Sequence, residues 1–341
     1  MAVHRCGISH GDAAAHNRGM QVVQLLRPGG VDQLAIASAD RPRPGRGEIS
    51  IRQTAAGLNF VDIYHRTGLY PLPAYPAVLG IEGVGIVEAI GSDVSELAPG
   101  DRIGYAGQIG GYATHRVVPA WRAVRIPEAL GDGAAATVLA RGMTAHMLQT
   151  RIYPVGAATW VLVHAAAGGL GSVLVRWAKR RGATVIGTVG SPAKAALARA
   201  AGADHVLVGR DLDFGAAVAS LTAGRGVDVA YDGVGGSTLA RTLACVRPFG
   251  TVASIGEAAG PIPPLCVDQL GPRRSLALAR PSVMHYMQDP GTYRAAAPEV
   301  IAAALDGVIP DPGPSYRLDQ VAEAHRDLEV GATTGAGYLA L

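Results

Sequence analysis

From Thr159 to Arg280 the chain alternates short apolar strands with helices, and that alternation admits few folds. The segments read "TWVLVHA", "GSVLVRWAKRRG", "ATVIGTV", "SPAKAALARAAG", "DHVLV", "GVDVAYDGV", "GTVASIG" and "SLALAR". Strands that are apolar along their whole length and are joined by helices require a parallel sheet covered on both faces. The expected class is therefore α/β, with a doubly wound parallel sheet in this region.

The chain before it reads differently. From Met20 to about Arg125, segments such as "GEISIRQTAAGLNF", "GVGIVEAIG", "GDRIGYAG" and "GGYATHRVV" are short and separated by Gly and Pro, which implies a β-rich, barrel-like unit. "RIPEALGDGAAATVLARGMTAHMLQ" then has helical length and spacing. After the parallel region, "TYRAAAPEVIAAALDGVI" reads as a helix, and "AEAHRDLEVGATTGAGYLAL" ends in a short strand that returns to the first unit. At 341 residues two domains are the natural division.

Composition excludes several classes. Hydrophobic residues at 49% against 17% charged argue against disorder. The net charge of +3 comes without a run of like charges, so no nucleic-acid partner is expected. No apolar run reaches membrane-spanning length and no secretory segment opens the chain, so neither a membrane partner nor export is expected. Three cysteines, Cys6, Cys245 and Cys266, show no metal-ligand spacing and suit a reduced, cytoplasmic setting. Residues 1–19 read as a flexible extension; His4, His10 and His16 within it are scattered as solvated histidines are.

The strand "WVLVH" runs into "AAAGGLG" and then a helix. Ala166, Gly168 and Gly171 occupy the three positions of a Gly-x-Gly-x-x-Gly fingerprint, with Gly169 and Leu170 between them. Gly168 leaves room for a pyrophosphate, Gly171 lets helix and strand approach, and the helix amino terminus offers free N–H groups. Alone, a glycine triplet among 46 glycines is equally a structural turn; its place between strand and helix points to a dinucleotide. A fold of this kind that prefers NAD carries an acid about twenty residues further on. Here the chain reads Gly190, Ser191, Pro192, Ala193, Lys194. A hydroxyl and an ammonium suit a 2′-phosphate, so NADPH is the expected cofactor, although Lys194 is equally placed to be a solvated residue in a helix's first turn.

Several ordered motifs together carry a resemblance. "AAGLNFVDIYHRTGLYPLPAYPAVLGIEGVGIVEAIGSDV", "VLVHAAAGGLG", "IGTVGSPAK", "YDGVGG", "ARPS" and "AHRDLEVGATTG" resemble the zinc-free, zeta-crystallin-like quinone oxidoreductases of the medium-chain dehydrogenase/reductase superfamily. The resemblance runs from about Met20 to the end. It implies a discontinuous GroES-like catalytic domain (20–141 and 284–341), a Rossmann domain (142–283) and a homodimer, with "SLALAR" a plausible edge strand for pairing. Where the zinc-dependent relatives place a Cys and a His ligand, this chain has Asn59 and Ile81, and the four-cysteine lobe is missing; no metal is expected.

The same resemblance places Asn59, Asp62, Tyr64, Tyr70 and Arg280 around the substrate cleft. Asn59 can donate to an acceptor oxygen, the tyrosines can stack on a flat ring or donate a proton, and Arg280 can stabilise an anion. Structural roles stand beside these: a turn for Asn59, core for the tyrosines, a carboxylate partner for Arg280. On the cofactor side, Thr144 and the backbone around Ile255 and Gly256 match positions that face the nicotinamide, Val234 and Gly235 match the turn after the fourth strand of the parallel region, and Lys194 and Arg210 match positions near the adenosine phosphate. Three departures thin that phosphate clamp: Gly209 replaces a tyrosine, Gly331 an arginine, and Glu257 a neutral residue. The expected activity is NADPH-dependent reduction of a quinone. Reduction of an enone or enoyl double bond, and a nucleotide-binding protein of regulatory or structural role, are the alternatives.

Overall fold

The computed structural model describes residues 19–209 and 212–341. Its centre is a six-stranded sheet, parallel throughout. The strands lie in the order His205–Val208, Thr184–Val189, Trp160–Val163, Val227–Asp232, Val246–Ser254 and Ala277–Ala279. The order reverses between Trp160–Val163 and Val227–Asp232. The carboxyl ends of strands on either side of such a switch diverge and leave a crevice. Ala277–Ala279 is an edge strand.

The second body is a seven-stranded sheet around Glu48–Gly57, which pairs antiparallel with Glu82–Ile90, His115–Pro119 and Tyr338–Ala340. Leu339 faces Ala56 across the last of these pairings, so the chain's end closes on its beginning. Register shifts at Ser50/Ile51 and Gln53/Ala55 bend Glu48–Gly57, as a strand must to serve a curled sheet. A three-stranded sheet of Leu34–Ala39, Met20–Leu25 and Ala77–Val78 completes this half.

The two halves share a core. Helix Asp132–Met147 is buried nearly all round, as small and apolar residues on every face of it allow. It packs on Glu82–Ile90 on one side and on helices Gly169–Arg180 and Pro290–Leu305 on the other. Val84 and Ile81 from the curled sheet belong to the same cluster as Val161, Val163 and Tyr231 from the parallel one. Such continuity fixes the two sheet ends relative to each other and so fixes the cleft between them. Among the described residues no helix is long and apolar enough to cross a membrane.

Candidate active site

The glycine turn follows strand Trp160–Val163 directly. Gly168 N–H donates to Ala165 O at 2.8 Å, closing the turn, and Gly168 caps helix Gly169–Arg180. A Cβ on Gly171 would lie 2.1 Å from Ala165 O, and one on Gly168 would lie 3.1 Å from the same oxygen. Gly171 therefore has no space for a side chain, and Gly168 has little. The Ala at the first fingerprint position is compensated next door: a Cβ on Gly187 would fall 2.7 Å from the Ala166 methyl. Gly187 therefore belongs to the turn's architecture, although it stands mid-strand and outside the glycine fingerprint. From above, Gly168 bridges to Gly335, which brings the carboxy-terminal loop across the turn. Leu170 packs half-buried against the core.

At the end of the next strand Gly190 is exposed, and the Ser191 hydroxyl accepts from Lys194 N–H at 3.4 Å as the cap of helix Pro192–Ala200. The Lys194 ammonium donates to Gly331 O at 2.9 Å, reaching the turn that ends helix Val321–Glu329. Gly209 adopts φ +129°, a region closed to most side-chain-bearing residues. Arg210 lies outside the described residues.

Across the switch point, Asp232 is fully buried. Its Oδ1 accepts from the N–H groups of Val234 and Gly235 at 2.9 and 3.0 Å, and its Oδ2 from the Thr242 hydroxyl at 2.9 Å. His164 lies between Thr242 and Thr188, 2.9 Å from each hydroxyl, and burial lowers its pKa. A neutral imidazole with its proton on Nε2 satisfies the whole chain of bonds. This buried network holds the Val234–Gly235 turn, and the sequence reading did not find it; the Asp in "YDGVGG" was its only local trace.

Tyr64 joins the two halves. Its phenol oxygen accepts from Glu257 N–H at 2.7 Å, and a Cβ on Gly256 would lie 3.2 Å from that oxygen. Ile255, half-buried, is fixed by its N–H on Asp232 O at 2.8 Å. Burial raises the Tyr64 pKa, keeping the phenol protonated at neutral pH. Tyr70 meets Tyr64 edge-on at 5.2 Å between ring centroids and is partly open to solvent. Arg280 donates to Ser254 Oγ at 2.8 Å and to Glu257 Oε1 at 2.5 Å, so it has the carboxylate partner that was its structural alternative. Thr144, half-buried on helix Asp132–Met147, donates to Ala140 O at 2.7 Å.

Asn59 and Asp62 sit at the start of helix Phe60–Thr67. The Asn59 amide nitrogen donates to Glu82 Oε1 at 2.8 Å and keeps a second N–H in hand. Asp62 has no exposed surface: its Oδ2 accepts from Asn59 N–H and the Tyr112 hydroxyl, each at 2.9 Å. It therefore lies beneath the cleft wall and not on it. Glu82, buried in the same way, also accepts from Ala140 N–H at 2.8 Å. Glu82 is not among the residues that the resemblance places around the cleft, though it lies within the quoted segment that begins "AAGLNF".

Removal from water pushes both buried carboxyls up to about 7. The folded chain then holds protons that the unfolded chain releases near pH 4, so these groups stabilise it below about pH 4 and that stability is lost as pH rises through about 7. Asp62→Asn is expected to flatten the fall in melting temperature between about pH 5 and 8. A slope identical to that of the unaltered chain would mean that Asp62 is already ionised when folded.

An open parallel sheet with a glycine turn beside its switch point shares a core with a curled antiparallel sheet, an architecture that sets a nucleotide-binding crevice against a second domain. Residues 45–128 match the alcohol dehydrogenase GroES-like domain family, and residues 169–301 match the zinc-binding dehydrogenase family. The chain is 37% identical to a quinone oxidoreductase of Pseudomonas aeruginosa, over 93% of its own length and 98% of the relative's. It is 36% identical to a 2-haloacrylate reductase of Burkholderia sp, with 92% and 96% covered. The solved structure of Escherichia coli quinone oxidoreductase complexed with NADPH superposes with a TM-score of 0.91 at 34% identity, covering 94% of this chain and all of that one. The chain belongs to the quinone oxidoreductase family of the medium-chain dehydrogenase/reductase superfamily.

Proposed function

We propose that the chain is an NADPH-dependent, zinc-independent quinone oxidoreductase. The observation that carries this is the Tyr64–Glu257 contact, which sets an aromatic pair against the end of a parallel sheet that also bears the glycine turn. The bare backbone at Gly168 fits a pyrophosphate, the close helix–strand approach at Gly171 sets the helix amino terminus beside it, and Ser191 with Lys194 fits a 2′-phosphate. Ala166, Gly169, Leu170 and Gly190 would line the dinucleotide; Thr144, Val234, Gly235, Ile255 and Gly256 would border its nicotinamide end. NADPH supplies the hydride when bound there. The chain's own part is to orient and to stabilise: Tyr64 and Tyr70 present ring faces and edges to a planar acceptor, and the free Asn59 N–H can donate to an acceptor oxygen as it gains charge. Asp62 and Glu82 fix Asn59 from beneath.

Zinc independence is supported by the residues that stand at the two ligand positions, Asn59 and Ile81, neither of which is a Cys or a His. The chain divides into a GroES-like domain (20–141 and 284–341) and a Rossmann domain (142–283), works in the cytoplasm, and dimerises along Ala277–Ala279. A second reading, reduction of an activated double bond, is favoured by the similarity to a 2-haloacrylate reductase. NADPH oxidation followed with 1,4-benzoquinone, 9,10-phenanthrenequinone and a simple enone tests both. Quinone-dependent oxidation is the expected result; turnover of the enone alone would favour the second reading, and none with any acceptor would remove both.

A further inference from the structure

The Gly256–Glu257 segment carries an ion pair with a consequence for substrate choice. Glu257 Oε1 lies 2.5 Å from Arg280 Nη2, and Arg280 Nη1 is anchored on Ser254 Oγ at 2.8 Å. The Glu257 N–H binds the Tyr64 phenol at 2.7 Å, so the pair sits at the tyrosine end of the cleft. Burial is the main cause of that phenol's raised pKa; the Glu257 N–H lowers it by donating to it, and among the smaller causes the Glu257 carboxylate raises it and Arg280 lowers it, so both charges reach the phenol. The two side chains are unequally open, Arg280 at 42% and Glu257 at 14%. The guanidinium is thus reachable from solvent, while a nearly enclosed carboxylate already meets its charge.

We propose that Glu257 sets the acceptor charge this enzyme accepts: by holding Arg280 as a neutral pair, it disfavours carboxylate- or sulfonate-bearing acceptors and leaves uncharged quinones and enones as the preferred class. The inference rests on the acceptor cleft assigned above. A lone guanidinium would present a two-pronged donor suited to a carboxylate or sulfonate. With Glu257 in contact range, an approaching anion meets attraction and repulsion of similar size, and the repulsive partner is the one less screened by water. Rejection here needs no steric wall; one fixed charge behind another suffices.

The test compares 1,2-naphthoquinone with 1,2-naphthoquinone-4-sulfonate, read as the sulfonate-to-parent ratio of kcat/KM. Glu257→Gln is expected to raise that ratio at least about tenfold, and Arg280→Met to lower it at least about threefold. The double variant is expected within about threefold of the unaltered chain, because removing both charges restores neutrality. Fluorescence titration of the two quinones into the NADP+-loaded protein gives the same ratio from Kd without turnover. If the unaltered chain reduces neither quinone, the quinone reductase reading fails while the binding ratios still decide the present proposal. Ratios that stay within about threefold in both single variants would overturn it. Should Glu257→Gln not fold, Arg280→Met decides alone: an unchanged or raised ratio overturns the proposal, and the expected fall supports it.

Discussion

Replacing Gly171 by valine is expected to weaken NADPH binding by roughly 100-fold or more, the largest effect of any single substitution in the glycine turn. The reason is local and steric. A Cβ at this position would fall 2.1 Å from Ala165 O, 2.9 Å from Ala165 C and 3.0 Å from the Ala166 Cα. All three are backbone atoms, so no rotamer change relieves the clash. Ala165 is already at φ +52°, a left-handed conformation in which a residue bearing a Cβ has little freedom left. The helix amino terminus must then move away from the strand, and the N–H groups proposed to hold the phosphates move with it. Fluorescence titration with NADPH measures the loss, and far-ultraviolet circular dichroism reports whether the fold survives. Gly156→Ala serves as the control, because a Cβ there meets nothing within 4 Å and its φ is not left-handed. A Gly171→Val Kd within about threefold of the original would mean that the phosphates do not sit on this turn.

What could be read from the sequence follows the range of the interactions involved. The parallel sheet was legible because each strand is apolar by itself, and the glycine turn because strand, turn and helix are contiguous. The return of the last strand to the first sheet was legible only as an expectation; its partner, Ala56, lies far away in the chain and leaves no local mark. Asn59 reads as a cleft residue, yet the acid that orients it is Glu82, and nothing in either segment announces the pairing. Asp62 shows the opposite case: its place in the family pattern suggested the cleft, whereas burial beneath Tyr112 makes it a support. His164, Thr188, Thr242 and Asp232 come from four separate segments and satisfy one another only after the sheet has formed. Lone polar residues within apolar strands carry no such information. Arg280 and Glu257 were each noted singly; the structure makes them one electrically neutral unit.

Lys194→Ala is expected to weaken NADPH binding by about 10- to 100-fold while leaving NADH binding within about threefold, the size of a lost hydrogen bond to a charged group. The structure gives Lys194 two claims on its charge. Its ammonium donates to Gly331 O, just past helix Val321–Glu329, where a cation is favoured by the unpaired carbonyls of a helix end. That bond uses one of three N–H donors and fixes the direction of the side chain, leaving two N–H groups, and the segment Gly190–Lys194 itself carries no carboxylate to repel a phosphate. The two roles separate experimentally because NADH lacks the 2′-phosphate. A phosphate role predicts loss for NADPH alone, diminishing as salt screens the charge. A purely structural role predicts equal losses for both nucleotides together with a lower melting temperature, since the turn at Gly331 would lose its tie to helix Pro192–Ala200. Equal losses would also withdraw the inference from the missing acid, because Ser191 alone offers a hydroxyl that either nucleotide can use.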